Sequence, residues 1–127
     1  MVAILEPILS EFMEEAPATR RVLERIPADK LGWRPHAKSK SLGELAMHVA
    51  GLGGMVEKIA SSDTFTPNPA ALAKPPESVE EIRAAFEQNL QAAERALRGM
   101  TEETAQGSWA VVVGGKELCR KTRLKAL

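Results

Sequence analysis

The stretch SLGELAMHVAGLGG, residues 41–54, decides the fold. Ser41 followed three residues later by Glu44 is a capping box: the hydroxyl accepts from a first-turn N–H while the carboxylate reaches back to the cap. Leu42, Leu45, Val49, Leu52, Val56 and Ile59 then recur at steps of three and four, the period of a helix with one apolar face. His48 falls at the edge of that stripe, with Glu44 one turn before it and Leu52 one turn after. An imidazole placed there is expected to reach the space between packed helices, the geometry by which bundle proteins bring ligands together from facing helices. One histidine alone does not make such a centre, because zinc-type sites use three or four protein ligands; a hydrogen bond at the core boundary would satisfy it equally well.

Working outward, Leu5, Ile8, Leu9, Phe12, Ala16, Thr19, Leu23 and Ile26 line one face of a preceding helix. Pro7 suits its first turn, Pro17 is expected to kink or locally break it, and Pro27 closes it. The polar connection PADKLGWRPHAKSK leads to residue 41, and SSDTFTPNPAALAKPPE, residues 61–77, forms a long loop after the second helix. A second capping box, Ser78 with Glu81, opens a third helix with Ile82, Phe86, Asn89, Ala93 and Leu97 on one side. Gly99 is placed to stop it as a left-handed residue. The β-branched run SWAVVVGGKELC then suits a hairpin turning at Gly114-Gly115, and RKTRLKAL reads as the opening turns of a further helix.

The chain has 127 residues with seventeen basic and seventeen acidic side chains. That length suits one domain, residues 1–127. The balanced charge gives no overall field toward nucleic acid or an anionic membrane. Aromatic residues make up only 4%, without tyrosine, which argues against a base-stacking surface. The N-terminus lacks a basic region followed by an apolar one, so no signal peptide is read, and no apolar stretch reaches membrane-spanning length. The single cysteine, Cys119, cannot form an internal disulfide and points to a reducing, cytoplasmic setting.

Residues 19–52, TRRVLERIPADKLGWRPHAKSKSLGELAMHVAGL, resemble the DinB/YfiT-like family of four-helix-bundle metalloenzymes. The likeness lies in the helix ending LERIP, the DKLGWRPH connection and SLGELAMHVA; the VVVGGKE hairpin is similar as well. It implies an all-α, antiparallel up-down-up-down four-helix bundle with a small β-hairpin before an incomplete last helix. It further implies a divalent metal, zinc or nickel, held by three histidines, with His48 as the first. The other two would stand four residues apart on the last helix, but this sequence has no histidine after His48 and ends about where that helix would begin. Glu44, Glu57 and Cys119 are the conceivable substitutes, without a spacing that favours them. Either the chain is truncated at its C-terminus, the preferred reading because a bundle lacking one helix would leave an apolar groove open, or it is a complete, degenerate member that no longer binds metal.

Other residues carry weaker signals. His36, in WRPHAK, suits either a site entrance or a solvated loop. Trp33 is expected to anchor that loop to the bundle, and Trp109 to do the same under the hairpin. The basic cluster Lys116, Arg120, Lys121, Arg123 and Lys125 reads as a solvated helix face, and GLGG at 51–54 lacks the context of a phosphate loop. Cys119 sits among basic residues that favour a thiolate, yet without a hydrolase signature around it.

Two functions follow. The resemblance implies a metal-dependent transferase or hydrolase acting on a small-molecule substrate, with a low-molecular-weight thiol as co-substrate. The alternative is a non-enzymatic helical interaction module that dimerises and binds no metal. No nucleic-acid or membrane partner is expected, and a homodimer is.

Overall fold

The computed structural model describes residues 2–67 and 74–127. Helix α1 runs from Glu6 to Glu24, entered through a short 3-10 turn at Ala3–Leu5. It stays continuous through Pro17, so the proline is accommodated without the local break that its missing N–H predicts. Helices α2, Leu42–Ala50, and α3, Leu52–Ser61, follow. The single helix read from the sequence is thus divided at Gly51. After a two-residue strand β1, Thr64–Phe65, come α4, Val79–Gly99, and a short α5, Glu102–Gln106. Strands β2, Ser108–Val113, and β3, Lys116–Thr122, lead into α6, Arg123–Ala126. The molecule is therefore mostly helical, as expected, and the expected hairpin is joined by β1 into a small three-stranded mixed sheet. Part of the long loop, residues 68–73, lies outside the described residues.

Both capping serines do their work. Ser41 Oγ accepts from the Glu44 N–H and Ser78 Oγ from the Glu81 N–H, each at 3.1 Å. The carboxylates are used differently from the reciprocal pattern: Glu44 binds Arg34, and Glu81 accepts from the Glu77 N–H. Gly114 and Gly115 have φ of +57° and +77°, the left-handed pair that a two-residue hairpin turn demands. Gly99 does not adopt a positive φ; α4 simply ends into extended backbone at Met100. A bulge between Val111 and Val112 leaves Leu118 without a cross-strand partner.

Helix α4 is the central element, packing against α1, α2 and α3. Its buried residues, among them Ile82, Phe86, Leu90, Ala93 and Leu97, form one continuous face. Where α2 and the start of α3 meet it, the buried residues are small: Ala46, Ala50 and Gly53; Gly43, also buried, lies against Leu31 and Pro76 instead. Leu45 and Leu52, assigned to the core by their spacing, are each 51% exposed. The reason is distance. A Cβ added at Gly53 would lie 2.6 Å from the backbone oxygen of Asn89, and one at Gly54 2.7 Å from that residue's side-chain oxygen. Asn89 Nδ2 also donates to the carbonyl of Ala50, the last residue of α2, at 3.2 Å. Helices α3 and α4 thus meet backbone to backbone, and larger side chains are displaced outward.

The other end of the molecule is tied by Arg123, only 3% exposed. Its guanidinium donates to the carbonyls of Ile59, Thr104 and Ser62 and to the Asp63 carboxylate. It joins the end of α3, α5 and the hairpin's exit, so it is no part of a solvated helix face. Lys116, Arg120 and Lys121 are exposed, but on β3. Trp109 is buried under the hairpin as expected and stacks on Phe65 with ring centroids 6.5 Å apart.

Two stability predictions follow from these contacts. Gly53→Ala is expected to destabilise the protein by about 1–3 kcal/mol, because a rigid backbone must retreat. Arg123→Met should cost about 2–4 kcal/mol by leaving buried carbonyls unpaired. Denaturant melts at constant slope would measure both.

Candidate functional site

Helices α1 and α2 stand on either side of α4, and a cleft of about 120 Å³ opens between them. Phe12, Ala16 and Thr19 of α1 form one wall; Val49, Ala50, Leu52 and Gly53 form the other. Phe86 and Leu90 of α4 lie beneath. Glu15 is the one charged residue among those lining it. A second hollow, about 250 Å³ and more open, lies across α1 and is lined by Arg20, Arg83, Glu80 and Glu87. There Arg20 and Glu87 neutralise each other and Arg83 pairs with Glu24, so the apolar cleft is the better candidate for binding.

His48 sits near the C-terminus of α2, three residues after Leu45 and four before Leu52, and it is exposed. The ring is therefore not enclosed between helices as its place on the stripe suggested. The same close packing that expels Leu45 and Leu52 explains this, since the buried side of α2 is the glycine and alanine side. Among the described residues, the imidazole forms no side-chain hydrogen bond.

The conceivable additional ligands are elsewhere. Glu44 is held by Arg34 at 2.6 Å, Glu57 is exposed on α3, and Cys119 is exposed on the hairpin. Among the described residues, no group of three or more His, Cys, Asp or Glu side chains is close enough together to hold a metal ion. One imidazole does not satisfy a transition metal, so the described residues by themselves do not fit a resident metal. His36 closes its own loop, its Nδ1 accepting from the Lys38 N–H at 3.1 Å. Trp33 is 58% exposed and does not anchor that loop. The loop is instead held by Arg34, which bridges Glu44 and the Ser39 carbonyl, and by backbone bonds from Leu42 and Gly43 to Trp33 and Leu31.

The sequence reading missed the ion pair beside the larger hollow. Arg20 meets both carboxylate oxygens of Glu87, at 2.5 and 3.2 Å, and lies 5.8 Å from the Phe86 ring centroid. The Arg20 hydrogen bonds, with the charges of Arg20 and Arg83, hold the Glu87 carboxyl below its ordinary range against the opposing effect of burial. The pair spans sixty-seven residues of chain, so no local pattern announces it.

The sequence model of the DinB superfamily matches residues 11–115. With α4 at the centre, α2 carrying His48 and the hairpin following α5, the chain belongs to the DinB superfamily. Neither the curated proteins nor the solved structures yield a match. No helix among the described residues is long and apolar enough to cross a membrane.

Because the folded pKa of Glu87 is depressed, its pair contributes stability above the unfolded value and loses it as pH falls through the folded one. The side chains are 38% and 43% exposed, so the contribution is modest. Glu87→Gln should lower Tm at neutral pH, and the gap to wild type should narrow as pH falls below the ordinary glutamate range and close only below the depressed folded value. Thermal melts across pH 3–7 check this.

Proposed function

We propose that this chain carries one ligand and one apolar wall of a divalent-metal-dependent DinB-type enzyme of the thiol-dependent transferase or hydrolase type. His48 is the ligand, and its remaining partners come from outside the described residues. The observation that supports the reading is the exposed imidazole on α2, four residues before Leu52, which is part of the cleft wall. The cleft's aromatic and aliphatic lining suits the apolar body of a small-molecule substrate.

A second reading is supported by the half-exposed Leu45 and Leu52. On this reading the α2 face and the cleft beside it receive a partner's amphipathic helix, and the chain acts as an interaction module without chemistry.

Titration calorimetry with Zn²⁺ or Ni²⁺ separates the two. The enzyme reading expects weak binding to this chain that His48→Ala removes. Binding unchanged in that variant would remove His48 from the assignment. The second reading expects Leu45→Ser with Leu52→Ser to abolish partner binding while leaving metal affinity as it was.

A further inference from the structure

The cleft between α1 and α2 holds an unspent charge. Phe12, Glu15 and Thr19 follow one another at steps of three and four, so they stand in one row along the α1 wall. Glu15 is exposed and sits in the middle of that row, above a floor of Phe86 and Leu90. Its backbone carbonyl accepts from the Thr19 hydroxyl at 3.4 Å. Its carboxylate takes part in no hydrogen bond or ion pair among the described residues.

The local structure of α1 does not account for an acid at this position. The helix begins at Glu6, which leaves Glu15 well past the first turn, where the helix dipole has faded. Its neighbours at three and four positions on either side, Glu11, Phe12, Ala18 and Thr19, include no base. Arg20, the first basic residue of the chain, is held by Glu87. Glu11 and Glu14 are exposed acids on the same stretch of helix, so the field over this wall is negative.

We infer that the cleft takes a primary amine, with an apolar body of one ring or a short alkyl chain seated on Phe86 and Leu90 and its ammonium paired with Glu15. An apolar cavity of roughly 150 Å³ takes up benzene. This cleft, at about 120 Å³, is of that order and opens to solvent on the side where a polar end would stand. Phe12, on the same wall as Glu15, supplies an aromatic ring for the same cation. A carboxylate ligand would instead meet a row of like charges, and a neutral one would bind through its apolar body alone. The inference rests on the reading that this cleft holds the apolar body of a small-molecule substrate, and it adds the charge at that substrate's other end. It makes no use of the metal.

Amide chemical-shift titrations of the full chain, without metal and at neutral pH, test it with phenethylamine, phenethyl alcohol and hydrocinnamate. The three probes share a ring on a two-carbon arm and differ in the charge at its end. The amine should bind about tenfold more tightly than the alcohol, with the carboxylate weakest and the shifts centred on Ala16, Gly53 and Leu90. Glu15→Gln replaces an exposed side chain by one of the same shape, and should bring the amine to within about twofold of the alcohol without lowering Tm. Equal binding of the three probes, or an amine preference that survives Glu15→Gln, would overturn the amine assignment and leave the cleft as a site for apolar ligands. No binding of any probe in the cleft would overturn the cleft reading and this inference together. Neither result bears on metal binding to His48.

Discussion

The absence of a Cβ at Gly53 is the constraint on which the architecture turns. It lets the α3 backbone approach the carbonyl of Asn89 so closely that no side chain can stand between. Close approach adds dispersion contacts between the helices, and the small residues Ala46 and Ala50 extend it along α2. Asn89 turns the same contact into a polar anchor by donating to the Ala50 carbonyl where α2 gives way to α3. A polar residue in the middle of the α4 stripe is thereby explained: it faces backbone rather than the apolar core.

The functional surface is the reverse of that packing. Once the small side of α2 is buried, Leu45, His48 and Leu52 must face outward, and the space between α1 and α2 becomes a cleft floored by Phe86 and Leu90. Arg123 holds the opposite end, gathering backbone carbonyls from α3, α5 and the connection to β1 around one buried cation. The two anchors act on different parts of α3, its start at Gly53 and its end at Ile59, so the orientation of that helix is set at both ends.

Local features were legible in the residues alone. Ser41 and Ser78 cap the helices they precede, Gly114-Gly115 turns the hairpin, Trp109 lies beneath it, and the family resemblance agrees with the superfamily match over 11–115. Each depends on interactions within a few residues or on a long run of matching sequence. The buried side of α2 was not legible, because apolar periodicity weighs large side chains and cannot know that a glycine is needed for backbone contact. Nor was the role of Arg123, which looks like one more cation in a basic cluster until the chain brings Ile59, Ser62 and Thr104 around it. Trp33 shows the same gap in the other direction: a residue type suited to burial is left exposed when its loop is fixed by Arg34 and Glu44 instead.

By itself, then, the order of residues determined where α2 and α4 begin, where the hairpin turns and which family the chain belongs to, since caps, turns and periodicity are local physics. Which face of each helix is buried and that His48 lies exposed were decided only by tertiary structure. Those outcomes depend on how closely two backbones can approach across dozens of intervening residues, a distance written in no single segment.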